Sequence, residues 1–258
     1  MKKMFFFCSV LSFVFIAACV IAVVDYSSSE GRWMPKSSFR RTLTLPSGGT
    51  VSLENARGDI EIEGWEEEKV EISAEERRVY LPARRLYVST WRQPDLEIQV
   101  KTSSDSISIE TDPAIQKNES RFVNYVLRVP RSIHLQSLRN ESGDIRVADV
   151  YGSLDVDLGE GTIRVENFSG SVDIRLGSGD VEAELLDLRP EDEVRITTRG
   201  GDIQLYLEPQ AEIWLEASAP QGSVVSDFDL GKEQEPAQKT KLSLTALSGD
   251  IRIKKGKE

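Results

Sequence analysis

Apolar and polar residues alternate along most of the chain after residue 30, and between residues 143 and 183 the alternation repeats every nine residues. Each repeat begins with a glycine and continues with a polar, an apolar, a polar and an apolar position. Alternation with a period of two is typical of β-strands with one buried face. A short fixed repeat is typical of strands stacked in a solenoid, because one repeat cannot bury its apolar face alone. The pattern therefore predicts an all-β chain built as a β-solenoid.

The alternation also predicts which side chains form the core of the array. Apolar positions of each repeat point inward and polar positions face water. The opening glycines are expected at sharp turns, where a positive φ would penalise a Cβ atom. The predicted core residues are Ile145, Val147, Leu154, Val156, Ile163, Val165, Val172 and Ile174.

The true repeat is longer than nine residues. Residues 143–160 align with residues 161–178 better than consecutive nine-residue units align with each other. We therefore expect rungs of 18 residues, each made of two strands and two turns. A three-sided rung, built from three of the short units in place of two, is the alternative, and it would change which side chains become neighbours.

Charged residues at repeated positions predict an interaction face. With 18-residue rungs, Asp155 lies beside Asp173 and Arg146 lies beside Arg164. Adjacent like charges on a sheet are unfavourable by ~0.2 to 1 kcal/mol per pair, so the fold alone gives no reason to align them. Duplication of an ancestral rung is one explanation, and selection for binding is the other.

Related glycine-led strands before and after the array extend the all-β prediction over the whole chain after residue 40. Residues 186–192 and 227–238 are expected to be loops. Arg77, Arg78, Arg84 and Arg85 form a basic patch, which is predicted to be a charged edge or loop. The predicted organisation is a signal anchor or lipoprotein signal segment (1–24), a linker (25–39), an N-terminal β region (40–135), a solenoid repeat region (136–253) and a basic tail (254–258). The lysines of the tail are expected to protect an open sheet edge.

An uncharged, mostly apolar run at residues 4–24 follows Lys2 and Lys3. As a helix these 21 residues span about 31 Å, enough to cross the ~30 Å apolar core of a bilayer. The two lysines favour a cytoplasmic N-terminus. The sequence therefore predicts one N-terminal transmembrane or signal segment ahead of an extracytoplasmic β-domain.

Three fates of this segment remain open. It could stay as an uncleaved signal anchor, be removed as a signal peptide, or end in a lipobox at residues 16–19 with Cys19 lipidated. Two of these fates leave the protein at the cell membrane, single-pass or lipid-anchored.

Cysteine and histidine usage excludes several kinds of site. Cys8 and Cys19 both lie in the apolar run, so the exported part has no disulfide and no cysteine for catalysis or zinc binding. The single histidine, His134, lies in an alternating stretch and is expected to be a solvent-facing strand residue. We predict no catalytic, cofactor-binding or metal-binding residues, and no cofactor.

Carboxylates are the remaining candidates for catalysis. A β-helix lyase or hydrolase could use clustered acids, and the candidate acids are Asp144, Asp155, Asp157, Asp173, Asp180 and Asp202. However, Gly-Asp pairs recur along the chain, whereas a catalytic pair need occur only once. Aspartate beside a turn glycine is ordinary turn chemistry, in which the carboxylate accepts nearby N–H groups. A net charge of −11 argues against nucleic acid as a partner.

Residues 125–130, Leu135 and the five glycine-led strands of residues 143–183 resemble the bacterial putative-adhesin family of unknown function. Residues 54–62 resemble the opening strand pair of that family. The resemblance implies a β-solenoid, often behind a signal peptide or membrane anchor, with no agreed catalytic residues.

These features favour a membrane-tethered, extracytoplasmic, adhesin-like structural or interaction module without catalysis. Its expected partners are the membrane, through the N-terminal segment, and an envelope polymer or envelope protein. One alternative is a carbohydrate-active β-helix enzyme. Another is an accessory sensor domain of an envelope stress system.

Overall fold

The computed structural model describes residues 32–80, 96–113, 120–228 and 239–256, which are dominated by β-strands. The strands are β1 Arg32–Thr44, β2 Thr50–Glu54, β3 Ile60–Trp65, β4 Lys69–Tyr80, β5 Ile98–Thr102, β6 Ser106–Thr111, β7 Arg121–Pro130, β8 Ser132–Ser142, β9 Ile145–Ala148, β10 Tyr151–Glu160, β11 Ile163–Ser178, β12 Val181–Leu185, β13 Glu193–Gly200, β14 Ile203–Leu207, β15 Ile213–Ser218, β16 Val224–Ser226, β17 Thr240–Ala246 and β18 Ile251–Lys255. Across these described ranges, no helix combines the length and the apolar character needed to cross a membrane. The apolar run at 4–24, including Cys19, lies outside the described residues.

The strands form two facing sheets in a β-solenoid-like arrangement. Sheet A has the order β1-β4-β7-β3-β9-β11-β12-β14-β18-β16. Sheet B has the order β5-β6-β2-β8-β10-β11-β13-β17-β15. Strand β11 bends at Asn167, where φ is 47°, and contributes its first part to sheet A and its second part to sheet B. A strand of sheet B followed by a strand of sheet A makes one rung.

Rungs at both ends of the stack are out of chain order. The β2–β3 rung lies between the β6–β7 and β8–β9 rungs. At the other end, the β17–β18 rung lies between the β13–β14 and β15–β16 rungs. The last strand in sequence, β18, is therefore not the edge strand of sheet A, contrary to the expectation for the strand before the basic tail. Its pairing with β16 ends at Ile253, before Lys254 and Lys255. Strands β15 and β16 occupy that end instead.

The register varies along the stack. In its centre, Gly152 pairs with Gly170 and Ile145 pairs with Ile163, and both pairs have the spacing expected for the two-stranded rung. The next step is longer and pairs Val181 with Ile203, because residues 186–192 add an insertion at the turn between β12 and β13. The expected spacing thus holds only where the glycine repeat is regular.

The core lies between the two sheets and is almost entirely aliphatic. All eight predicted core residues of the repeat array are at most 2% exposed. This confirms the inward and outward assignment made from the alternation. Phe168, at the bend of β11, is also fully buried.

The predicted domain boundaries differ from the observed elements. Strand β1 begins at Arg32, inside the stretch 25–39 that was expected to be a linker. The expected boundary between residues 135 and 136 falls inside β8, and β2 pairs directly with β8. The N-terminal β region and the repeat region are therefore parts of one continuous stack.

Glycines stack on one another at the corner between sheet B and sheet A. Gly161 has a φ of 141°, a conformation that L residues rarely adopt. A Cβ atom on Gly161 would overlap the carbonyl oxygen of Gly143 in the neighbouring rung. The repeated glycine therefore permits the close approach of successive rungs at this corner.

A charged cluster is buried where β4 and β7 meet. Glu76 is 0% exposed, and its Oε1 accepts hydrogen bonds from Nε of Arg78 (2.5 Å) and Nε of Arg121 (2.7 Å). Arg78 and Arg121 lie directly opposite each other, so the Glu76 carboxylate compensates two adjacent positive charges. The expectation that Arg78 belongs to an exposed basic edge or loop is wrong, because its strand position points inward. Arg84 and Arg85 lie outside the described residues.

Candidate interaction surfaces

The outer face of sheet B carries Asp155 and Asp173, which are direct neighbours on β10 and β11. The guanidinium of Arg175 bridges them, with Nη2 2.6 Å from Asp155 Oδ1 and Nη1 3.1 Å from Asp173 Oδ2. Arg195 Nη1 lies 3.8 Å from Asp173 Oδ2. The two carboxylates are thus compensated by neighbouring arginines, and the expected like-charge repulsion between them is largely offset.

The outer face of sheet A carries Arg146 and Arg164, also direct neighbours. Arg146 donates to Glu61 at 3.0 Å and to Glu166 at 2.5 Å. The hydrogen bond to Glu166 is the main cause of the raised pKa of Arg146. Arg164 Nε lies 3.3 Å from Glu182 Oε2. The two adjacent arginines are therefore flanked by Glu61 on one side and Glu182 on the other in one row across the strands.

The four residues predicted to form an interaction face do not lie together. Asp155 and Asp173 are on sheet B, whereas Arg146 and Arg164 are on sheet A. The reason is geometric, because each rung has two strands and successive nine-residue units fall on opposite sheets. The structure brings each like pair together and separates the two pairs.

A groove of about 580 Å³ lies on the outer face of sheet A toward its β16 end. Arg164 lies in its lining, together with side chains that sequence reasoning did not select. These are Glu166, Glu182, Glu184, Tyr206, Lys254 and Lys255. A second groove of about 300 Å³ shares Glu184, Tyr206 and Gly256 with the first.

Tyr206 lines both grooves, and we call the first of them the Tyr206 groove. In the register of sheet A, Glu184 lies on one side of Tyr206 and Lys254 on the other. The Lys254 ammonium is 5.6 Å from the centroid of the ring and donates to Gln204 Oε1 at 3.3 Å. The Gln204 amide in turn donates to the Tyr206 hydroxyl. The ring is therefore held between a carboxylate, an amide and an ammonium group.

Sequence reasoning missed this groove because its parts are far apart along the chain. Glu184, Tyr206 and Lys254 become neighbours only through long register offsets, which follow from the insertions. One feature of the sequence could have indicated the groove: Tyr206 lies at an outward position, between the inward residues Leu205 and Leu207.

A larger cavity, of about 730 Å³, lies at the corner where sheet A turns back into sheet B. The insertion at residues 186–192 and the turn at 208–212 supply most of its lining. Tyr151, which is 38% exposed, forms part of its wall. This cavity combines an aromatic ring with exposed carboxylates.

Aspartates of the Gly-Asp pairs link neighbouring rungs at the glycine corner. Each carboxylate accepts the backbone N–H of the equivalent residue in the adjacent rung. The contacts are Asp59 with Asp144 N–H (3.0 Å), Asp144 with Thr162 N–H (2.8 Å), Asp180 with Asp202 N–H (2.8 Å) and Asp202 with Asp250 N–H (2.8 Å). This confirms the structural interpretation of the pairs, although the N–H groups belong to the next rung and not to the same turn.

Contacts of this kind lower the pKa of two of the aspartates, Asp202 and Asp250. The backbone N–H of Asp250 and then the Arg252 guanidinium hold the pKa of Asp202 below its ordinary value. The N–H and hydroxyl of Ser223 do the same for the pKa of Asp250. A lowered pKa is the reverse of what a general acid needs at neutral pH.

His134 faces outward on β8, as expected, and its Nδ1 lies 2.9 Å from Ser153 Oγ. Within the parts of the chain that the structure describes, no group of three or more His, Cys, Asp or Glu side chains is arranged to hold a metal ion. Cys19, the predicted lipidation site, lies outside those parts.

Comparison with known proteins gives a family and a set of structural neighbours. The family model described as Toastrack DUF4097 matches residues 48–254. No curated protein matches the chain.

The structural neighbours share little sequence with this chain. A crystal structure of a putative cell adhesion protein from Clostridium sporogenes has a TM-score of 0.49 and 14% identity, covering 86% of this chain and 100% of the other. A putative adhesin from Bacteroides fragilis has a TM-score of 0.30 and 13% identity over 86% and 98% of the two chains. A putative adhesin from Parabacteroides merdae has a TM-score of 0.28 and 9% identity over 86% and 97%.

Proposed function

The chain belongs to the Toastrack DUF4097 family, and we propose that it is a membrane-tethered, extracytoplasmic, adhesin-like interaction module that works without catalysis. The observation that carries the proposal is the Tyr206 groove, in which side chains from several rungs converge on one exposed surface. We propose that outward side chains of successive two-stranded rungs form this binding surface, and that insertions between the rungs set which side chains become neighbours.

Tethering rests on the apolar run at residues 4–24, which is long enough to cross a bilayer. We propose that it remains as a signal anchor, with lipidation of Cys19 as the alternative. The full-length protein is then expected to stay in the membrane fraction after washing with alkaline carbonate, and Cys19→Ser is expected to leave this unchanged. Release of Cys19→Ser alone would instead establish a lipid anchor. A fully soluble mature chain that begins after residue 24 would contradict both forms of tether.

Binding through the Tyr206 groove rests on its chemistry. Tyrosine and arginine are enriched among the residues that dominate binding energy, and a Tyr ring offers an apolar face with a polar end. Lys254 and Glu184 place opposite charges on the two sides of the ring. We propose that the partner is a polar envelope polymer, with an envelope protein as the alternative. The net charge of −11 disfavours nucleic acid.

We propose that the module works without catalysis because its candidate catalytic carboxylates are engaged in structural hydrogen bonds and ion pairs. Asp144 and Asp202 accept backbone N–H groups of the next rung, and Asp155 and Asp173 are held by Arg175. Carboxylates engaged in this way link neighbouring strands and rungs of the stack.

Co-sedimentation of the full-length protein in detergent with purified cell-wall polymer tests the binding surface. Tyr206→Ala is expected to reduce the affinity about tenfold, because it removes the central aromatic contact. Tyr151→Ala is the control, since Tyr151 is an exposed tyrosine of the corner cavity, whereas Tyr206 is half-buried, and the affinity of Tyr151→Ala should stay within about twofold of wild type.

The other sheet is tested by Asp155→Asn combined with Asp173→Asn. If this double variant loses binding and Tyr206→Ala does not, the interaction face is on sheet B and the assignment to the Tyr206 groove is wrong. Equal binding by all variants would remove both faces from consideration.

A further inference from the structure

The two ends of the stack differ in how their last strands are covered. In the described residues, sheet A ends at one side with the antiparallel strands β4 and β1, and sheet B ends with the antiparallel strand β5. At the other side of this described part, both sheets end at the same rung, β15–β16, which pairs only with β17 and β18. The β15–β16 end is therefore flat, whereas the opposite end is stepped.

The β15–β16 rung leaves its inward side chains partly open. Ile213, Leu215 and Ala217 are only half-buried, whereas Leu242 and Leu244 on the adjacent strand are at most 1% exposed. On β16, the inward Val224 is 38% exposed, and the outward Val225 is 55% exposed. Apolar side chains from both sheets thus reach the surface at this end.

Within the described parts of the chain, the outer backbone groups of this end have no strand beside them. Thr240 N–H bonds to Glu212 C=O, and Ile251 N–H bonds to Ser223 C=O. Because direction alternates along a strand, the N–H and C=O groups of Leu215 and Val224 point away from the stack. Such an edge is a template for another strand, and neither proline nor lysine occurs on β15 or β16 to block it.

We propose that the β15–β16 end binds the same end of a second copy of this chain, with β15 antiparallel to β15 and β16 antiparallel to β16. A two-fold axis perpendicular to the sheets continues both sheets from one copy into the other and keeps the inward positions on the same side. The flat end fits another flat end, whereas the stepped end cannot meet both strands at once.

The distribution of charge on the edge strands is compatible with a second copy of this chain and favours one register of β15 against β15. Glu216 is the only charged residue on β15 and β16. Antiparallel pairing centred on Leu215 places Glu216 opposite Trp214 of the second copy, so no like charges face each other. Pairing centred on Glu216 would place two carboxylates in contact, which is unfavourable.

Light scattering of the full-length protein in detergent, over a range of concentrations, tests this proposal. The wild type is expected to form dimers. Val224→Lys puts a charge at the inward side of the edge strand, and Val225→Lys puts one at its outward side; each should weaken dimerisation at least about tenfold. Val126→Lys is the matched control, because Val126 is a 47% exposed, outward-facing valine on β7 of the same sheet.

Thermal unfolding of each variant shows whether it is folded, and Val225→Lys should melt like wild type because its side chain points outward. Dimers that are equally stable in the Val224→Lys, Val225→Lys and Val126→Lys variants would place the contact elsewhere. A wild-type monomer at all concentrations, or growth into open-ended assemblies, would overturn the proposal.

Discussion

Ile163→Asp is expected to lower the free energy of unfolding by about 4 kcal/mol or more, because it buries an unpaired carboxylate in an aliphatic core. Ile163 is 0% exposed and lies at the centre of the stack, between Ile145 and Val181. Neither neighbour offers a hydrogen-bond donor, so the introduced charge has no partner.

Arg164→Asp is the matched control, one residue further along the same strand. Arg164 points outward, and its pair with Glu182 is exposed. An aspartate there loses that pair and meets the like charge of Glu182, but it gains a favourable neighbour in Arg146, so the net change should be no more than about 1 kcal/mol. Chemical denaturation of both variants measures the difference. Similar losses in the two variants would contradict the division into inward and outward positions.

Glu76→Gln is expected to lower the free energy of unfolding by about 3 kcal/mol at pH 7, because it removes the charge that compensates Arg78 and Arg121 in a buried site. The adjacent Glu75→Gln is the control. The side chain of Glu75 is 44% exposed and lies 3.9 Å from Arg77 Nε, so the loss of its charge should cost under about 1 kcal/mol. Equal effects of the two substitutions would show that the buried cluster is not stabilising.

The Glu76 cluster also predicts a pH dependence. Burial by itself raises the pKa of Glu76, but the hydrogen bonds and charges of Arg78 and Arg121 outweigh it and hold the pKa below its ordinary value of 4.5. The contribution of Glu76 to the free energy of unfolding is therefore fully present above its ordinary pKa. It is lost as the pH falls through the lowered pKa of the folded protein. In Glu76→Gln the acid limb of the stability curve should be shallower than in wild type. An unchanged acid limb would contradict this role.

The regular part of the fold could be predicted because its local and long-range signals agree. The glycine spacing predicts the corners between strands, and the alternation predicts which side chains point inward. From Gly143 to Gly179 the interval is constant, so corresponding residues of successive rungs pair with each other. The burial of a residue in one rung therefore predicts the burial of the equivalent residue in the next rung.

The ends of the stack could not be predicted, because their rungs are inserted out of chain order. The position of β2–β3 beside β8–β9, and of β17–β18 beside β13–β14, depends on packing between distant segments. The sequence did not indicate that Arg78 is buried, because its charge is compensated only when β4 pairs with β7 and places Arg121 beside it. The Tyr206 groove also depends on pairing between distant segments, because β14 pairs with β12 and with β18.

The central claim is that this module binds an envelope polymer without altering it, and the chain length of the bound polymer tests the claim most directly. Cell-wall polymer is incubated with the full-length protein, recovered from the complex and compared with polymer incubated alone. We expect polymer bound through the Tyr206 groove to keep its original length distribution. Shortened polymer, with cleavage lost in the Asp155→Asn and Asp173→Asn double variant, would contradict the account and identify a carbohydrate-active enzyme.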